Sequence, residues 1–196
     1  MRIIAGQKRS MRLQSPEGDV SRPILDRVKE SLFSVLYQYD LPMGARVADL
    51  FAGVGSLGLE ALSRGAVWAT FAERDAAIQR ILRQNIKRAD FVDQSTVQTS
   101  SAYEAGALPV LGIERYDLVF VDPPYPTTRA VGPDSQLAGL FKRLPAQVTD
   151  QALIVVRTEK QIKLLDAYGA FKVIDRRVWG KMAITFLQQG SEAIDD

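Results

Sequence analysis

The sequence predicts an α/β fold: a mostly parallel sheet that ends in an antiparallel pair. Three observations carry that reading. Apolar runs of strand length alternate with segments whose apolar residues recur at helical spacing, the pattern of strands joined by crossover helices. The stretch Gly53 to Gly58 follows the first buried run and supplies the glycines of a tight strand-to-helix turn. The last two apolar runs, Phe171 to Val178 and Met182 to Leu187, are separated only by Trp179-Gly180-Lys181, a hairpin spacing.

The elements follow in order. Arg2 to Ala5 and Arg12 to Ser15 pair as a short hairpin around Gly6, and Pro23 opens a helix that reaches Tyr37 with Leu25, Val28, Leu32, Phe33 and Leu36 at helical spacing. Pro42-Met43-Gly44 is a linker, and Val47 to Phe51 is the first core strand. Ser56 to Arg64 is a helix closed by Gly65, Val67 to Glu73 a strand, and Asp75 the N-cap of the next helix. In that helix Ile78, Ile81, Leu82, Asn85, Ile86 and Ala89 share one face, which makes Asn85 a hydrogen-bonded structural residue. A strand at Thr96 to Thr99, a helical segment near Tyr103 to Leu111 and the strand Asp117 to Val121 come next. A loop from Pro123 to Pro133, a helix around Leu137 to Leu144 and the strand Leu153 to Arg157 precede the terminal hairpin. Residues 1–43 are therefore a basic hairpin and helix appended to a core over 44–188, and 189–196 form an acidic, disordered tail.

Composition narrows the chemistry. At 196 residues and 46% hydrophobic content the chain builds one substantial core. With no cysteine and no histidine, disulfides, thiolate or imidazole metal sites and Cys/His or Ser/His nucleophiles are excluded, and no metal is expected. Catalysis would rest on carboxylates, amides, backbone groups, Lys/Arg or a cofactor. No segment approaches membrane-spanning length, which points to a soluble, cytoplasmic protein. The net charge of +2 is unevenly spread: Arg2, Lys8, Arg9 and Arg12 open the chain, whereas Glu192, Asp195 and Asp196 close it. The basic arm reads as a solvated end or as a contact for phosphates, and the solvated end is the commoner outcome for a charge run alone.

Two motifs carry chemistry. Asp122-Pro123-Pro124-Tyr125 directly follows the buried run Tyr116 to Val121, and its two prolines end the strand because neither donates a ladder hydrogen bond. The corner presents a carboxylate, backbone carbonyls left without amide partners and an aromatic face, groups suited to a planar amine. In Asp49-Leu50-Phe51-Ala52-Gly53-Val54-Gly55-Ser56-Leu57-Gly58, the glycines fit a dinucleotide fingerprint, and Glu73 falls where a ribose-binding acid should. Asp49 separates the cofactors, since a carboxylate there would repel a pyrophosphate but attract the cationic aminoacyl end of S-adenosylmethionine. A role for Asp49 in capping the turn is the competing reading.

The corner resembles the fourth motif of methyltransferases that modify exocyclic or amide nitrogens, and Asp49 to Gly58 resembles their S-adenosylmethionine loop. More specifically, Arg2-Ile3-Ile4-Ala5-Gly6, Arg22-Pro23, Arg27-Val28-Lys29-Glu30-Ser31-Leu32-Phe33, Asp49 to Gly53 and Leu57 to Ala66 resemble the bacterial 16S ribosomal RNA guanine-N2 methyltransferase family, from Met1 to about Leu187. The chain departs from that family at Ile24, at Val54 and at Ser100-Ser101-Ala102, where many methyltransferases place an Asp for the adenine amino group. The resemblance implies a Rossmann-like class I methyltransferase with a seven-stranded sheet and an antiparallel last strand. It implies S-adenosylmethionine bound by Asp49, Phe51, Ala52, Gly53, Gly55 and Gly58, by Glu73 at the ribose, by Arg74, and by Ser101 and Ala102 at the adenine. Asp122, Pro123, Pro124 and Tyr125 would grip and stack the acceptor guanine. Arg2, Lys8, Arg9, Arg12 and Arg22 would hold the RNA, as 16S rRNA or an assembling small ribosomal subunit, with the enzyme acting as a monomer. The corner alone serves DNA adenine-N6 and protein glutamine enzymes as well, and a non-catalytic RNA-binding module on the same fold is the alternative from another class.

Overall fold

The computed structural model describes residues 1–16, 24–107 and 115–190. An eight-stranded sheet runs through the molecule in the order β3-β2-β1-β4-β5-β8-β7-β6. The strands are β1 (Arg46–Leu50), β2 (Trp68–Ala72), β3 (Ser95–Gln98), β4 (Tyr116–Val121), β5 (Val148–Glu159), β6 (Ala167–Tyr168), β7 (Phe171–Trp179) and β8 (Met182–Gln189). From β3 to β5 all pairings are parallel, and β8 runs antiparallel between β5 and β7. The helices are α1 (Asp26–Leu36), α2 (Ser56–Ser63), α3 (Ala76–Arg88), α4 (Ala102–Ala105) and α5 (Gln136–Phe141).

Both faces of the central strands are covered, which is why they read as continuous apolar runs. Val47, Leu118, Phe120, Leu153 and Val155 pack toward α1, α2 and α3, while Ala48, Leu50, Val119, Val121, Ile154 and Val156 pack toward α5. Asp75 caps α3 by accepting from the Ala77 and Ile78 amides at 2.8 and 3.0 Å, as its position predicted. Asn85 is fully buried and structural: it exchanges bonds with the Gln14 backbone at 2.8 and 3.0 Å and donates to the Val54 carbonyl at 3.0 Å.

Several expectations change. The eighth strand, β6, is only two residues long and has no periodicity to detect; it is set by tertiary contacts, with Tyr168 stacked on Phe141 at 4.9 Å and donating to the Val131 carbonyl at 2.7 Å. β5 begins at Val148 rather than Leu153, because polar Thr149 to Gln151 interrupt an apolar pattern that the pairing of Tyr116 with Val148 nonetheless continues. The N-terminal hairpin is short: Arg2 bridges Arg12, and the Ile3 and Leu13 amides donate to the Met11 and Met1 carbonyls at 3.0 and 3.1 Å. Leu25 is 54% exposed at the start of α1, and Lys29 takes the buried place instead. Arg22, Pro23, the end of the segment predicted to reach Leu111 and the tail from Ser191 lie outside the described residues.

Lys29 is buried because it joins a charged hub centred on Glu60, in the middle of α2. One Glu60 carboxylate oxygen accepts from the Ala5 amide at 3.0 Å and from Arg64 Nε at 2.7 Å; the other accepts from the Ile4 amide at 2.7 Å and from Lys29 Nζ at 3.2 Å. Lys29 also donates to the Arg2 carbonyl at 2.6 Å, and Arg64 lies over the Phe33 ring at 4.7 Å. Gly6 completes the joint, since a Cβ there would collide with the Ser63 carbonyl. The segments Arg2 to Gly6, Arg27 to Phe33 and Leu57 to Ala66, which carry much of the family resemblance, thus meet in one clasp that fixes the hairpin and α1 to the core. Removing the anion would leave two cations buried without it. Glu60→Ala should therefore lower the unfolding free energy by about 3–5 kcal/mol in urea titrations, and a loss under about 1 kcal/mol would show that the clasp contributes little.

Candidate active site

The chain visits β1, β2 and β3 on one side of the sheet and β4 and β5 on the other, so the order reverses between β1 and β4. Crevices for ligands form outside the carboxyl ends of strands at such a reversal. Both motifs end there: β1 runs into the glycine loop, β4 runs into the proline corner, and the Asp122 amide reaches the Leu50 carbonyl at 3.4 Å across the two strand ends. A cavity of about 960 Å3 opens at this place.

One half of the cavity is acidic. Asp49 is 2% exposed and accepts the Gly58 amide at 2.8 Å, so it does bond the turn; it also lines the cavity. Burial pushes its carboxyl up to about 7 from an ordinary 3.8, against the pull of the Gly58 amide, and the nearby Asp122 and Glu73 charges add to the rise. Glu73 braces the loop, accepting the Gly53 amide at 3.0 Å and the Asp75 amide at 2.8 Å. A cationic ligand placed here would relieve the repulsion among these carboxylates.

The other half is the corner. Its strand-ending turn is stapled by Thr127, whose amide and hydroxyl both donate to the Pro124 carbonyl, at 3.0 and 2.7 Å, and by Thr128, whose hydroxyl donates to the Tyr125 carbonyl at 2.9 Å. The expectation of carbonyls without amide partners therefore fails at Pro124. Asp122 Oδ1 accepts from Arg157 Nε at 2.6 Å. Burial pushes the Asp122 carboxyl above its ordinary range, while the Arg157 guanidinium pulls the other way. Tyr103 joins the halves: its ring lies 4.7 Å from that of Phe51, and its hydroxyl donates to Thr127 Oγ1 at 2.7 Å.

Of the residues expected at a cofactor, Asp49, Phe51, Ala52, Gly53, Glu73, Arg74, Ser101 and Ala102 line the cavity, together with Asp122, Pro123, Pro124 and Tyr125. Gly55 and Gly58 do not; Gly58 lacks a side chain because a Cβ would enter the Phe71 ring, so its part is to seat α2 on the sheet. Ile24 and Val54, both departures from the family pattern, also line the cavity. Arg2, Lys8, Arg9 and Arg12 stay outside it. Arg2 pairs with Asp26 at 2.8 Å, and the Lys8 amide is held by Ser63 Oγ at the far end of α2, about 12 Å along the helix from the glycine loop. Arg176 and Arg177 on β7 bond locally, Arg176 to the Lys160 carbonyl at 2.7 Å and Arg177 to Asp175 at 2.7 Å. The sequence reading missed Tyr103, Arg129, Arg143 and Arg157 as cavity residues. For Arg157 a signal was present, a lone charge closing the apolar strand next to β4.

Residues 1–188 match the family model described as conserved hypothetical protein 95. The chain is 32% identical to ribosomal RNA small subunit methyltransferase D of Escherichia coli K12 over 100% of its own length and 93% of that protein's. It is 36% identical to the Haemophilus influenzae protein of the same name over 84% and 82% of the two lengths. The solved structure of the Escherichia coli protein yhhF superposes with a TM-score of 0.77 at 32% identity, covering 96% of this chain and 97% of that one.

The raised Asp49 carboxyl has a consequence for stability. The folded state holds this proton more tightly than the unfolded chain, so the residue costs stability as pH rises from about 4 to 7, and the cost, roughly 4 kcal/mol, is complete above that window. Asp49→Asn keeps a carbonyl for the Gly58 amide and removes the charge. Its gain in melting temperature should grow from pH 5 to pH 8; an equal gain at both would contradict a buried, titrating Asp49.

Proposed function

The chain belongs to the family described as conserved hypothetical protein 95, and on that premise we propose that it is a ribosomal RNA methyltransferase. In this reading it transfers the methyl group of S-adenosylmethionine to the exocyclic N2 of a guanine in 16S rRNA. The observation that carries it is the meeting of an acid-lined half and a Asp-Pro-Pro-Tyr corner in one cavity, in a chain whose relatives bear the name ribosomal RNA small subunit methyltransferase D.

S-adenosylmethionine, when bound, supplies an activated methyl on a sulfonium. The acidic half fits that cation. Asp49 would face the aminoacyl end, Phe51, Ala52 and Gly53 would line the methionine side, Glu73 would hold the ribose with Arg74 beside it in the sequence, and Ser101 and Ala102 would flank the adenine, with Gly55 and Gly58 shaping the loop. The acceptor nitrogen is a poor nucleophile because its lone pair is delocalised into the ring. Asp122 and the Pro123 carbonyl accept its two N–H bonds and favour a tetrahedral nitrogen, Pro124 stiffens the corner, and Tyr125 stacks the base. This hold would leave the nitrogen lone pair free for the methyl group that the bound donor would supply, with a thioether as the leaving group, and Asp122 or water would take the nitrogen proton. In-line placement of two bound reactants supplies roughly 7–11 kcal/mol, so the absence of His and Cys is no handicap.

The base must leave its stack to enter the cavity. Exposed Arg129 and Arg143 line the cavity and suit the phosphates next to the flipped nucleotide. The arm, through Arg2, Lys8, Arg9 and Arg12, holds more distant backbone of 16S rRNA or of an assembling small subunit, a task that Arg22 shares, with the enzyme acting as a cytoplasmic monomer. Among the described residues no helix is long and apolar enough to cross a membrane, and no group of side chains suits a metal.

The test is label transfer from methyl-labelled S-adenosylmethionine to naked 16S RNA, small subunits, duplex DNA and release-factor protein, each offered separately. Label should enter RNA or subunits, and Asp122→Ala should lower transfer by at least about 100-fold with donor binding retained in calorimetry. Label in DNA or protein alone would overturn the RNA reading, and full turnover by Asp122→Ala would remove Asp122 from the mechanism.

A further inference from the structure

Arg157 is the one charged side chain that the β4/β5 ladder delivers directly to the corner carboxylate. The two strands pair in parallel with Val121 opposite Val156, so the next residues, Asp122 and Arg157, emerge side by side from the carboxyl ends. Arg157 Nε donates to Asp122 Oδ1 at 2.6 Å, and the two side chains are 12% and 17% exposed. Such a short, charge-assisted bond, shielded from water, fixes the plane of a carboxylate as an exposed ion pair does not.

Resting on the methyl-transfer reading above, we propose that Arg157 is a positioning residue of that reaction. By holding Oδ1 of Asp122 it turns Oδ2 toward the acceptor amine and keeps the carboxylate in its charged form, able only to accept. The surroundings make that hold necessary. β1 brings Asp49 and β2 brings Glu73 to the same cavity, β5 adds Glu159, the corner itself adds Tyr125, and the segment after it adds Arg129, which pairs with Glu159 at 3.8 Å. Without Arg157, Asp122 would be a buried carboxylate facing other carboxylates, and it would take up a proton. A protonated Asp122 donates where the mechanism needs an acceptor. A lysine would keep the charge but not the planar, directional N–H of the guanidinium.

The experiment compares wild type with Arg157→Met and Arg157→Lys. The Asp122 carboxyl, labelled with carbon-13 and assigned through Asp122→Asn, is titrated by NMR in the protein alone, and the pH profile of kcat/KM is measured with 16S RNA. In Arg157→Met the titration midpoint and the acid limb should both move up by about one to three pH units while donor affinity stays within about twofold of wild type. Arg157→Lys should leave the midpoint near that of wild type and lower kcat with KM for RNA unchanged. An unmoved midpoint in Arg157→Met, or wild-type kcat in Arg157→Lys, would overturn the role assigned to Arg157. If wild type transferred no label to RNA, the guanine reading would fall, and the NMR titration would still decide whether Arg157 governs Asp122.

Discussion

The parallel pairing of β1 with β4 is the constraint on which the site depends. Asp49 stands opposite Phe120 and Leu50 opposite Val121, so the two chains leave the sheet at the same level. One continues into the glycine loop and the other into the proline corner. The motifs lie some seventy residues apart in the chain, yet a one-residue slip in this register would turn Asp49 or Asp122 to the opposite face. The register is held by burial on both faces, with Val47, Leu118 and Phe120 on one side and Leu50, Val119 and Val121 on the other.

Given that placement, electrostatics divides the cavity. Asp49 and Asp122 are both shielded carboxylates, but they are compensated differently. Asp49 has one backbone amide, at 2.8 Å, and stays raised to about 7; Asp122 has a guanidinium at 2.6 Å. In the proposed reaction a cationic donor would compensate the first, whereas the second already has a cation beside it, although burial leaves it too above its ordinary range. Carrying an under-compensated carboxylate lowers the stability of the unliganded fold, a cost commonly found where binding requires it. The Glu60 hub is the opposite case. There the anion is over-compensated, by Lys29, Arg64 and two amides, and its return is mechanical: it joins the hairpin, α1 and α2 into one body.

Much of this was legible in the residues. The strand-loop-helix unit, the cap at Asp75, the terminal hairpin and the corner each announce themselves through local chemistry: glycines, prolines, capping acids and apolar period. Asn85 was legible too, as a polar residue on an apolar face. What was hidden depends on contacts between distant segments. β6 exists because Tyr168 finds Phe141, Lys29 is buried because Glu60 waits in another helix, and Gly58 seats a helix on Phe71 rather than lining the cavity. Arg157 was visible as the charge that ends an apolar strand, but only the neighbouring of β4 and β5 gives that charge a partner. The basic arm is the reverse case: its charge is plain in the sequence, whereas its attachment along α2, with Met1 and Pro16 at the cavity and Arg2, Lys8, Arg9 and Arg12 outside it, is a matter of tertiary docking.

The central claim is that the cavity brings a methyl donor to a guanine amino group held by Asp122. Nucleoside analysis by mass spectrometry, after complete digestion of 16S RNA incubated with the protein and S-adenosylmethionine, tests it most directly. The expected product is N2-methylguanosine, absent when Asp122→Ala replaces the wild type. Methyl groups found on adenosine, or on no nucleoside at all, would contradict the claim.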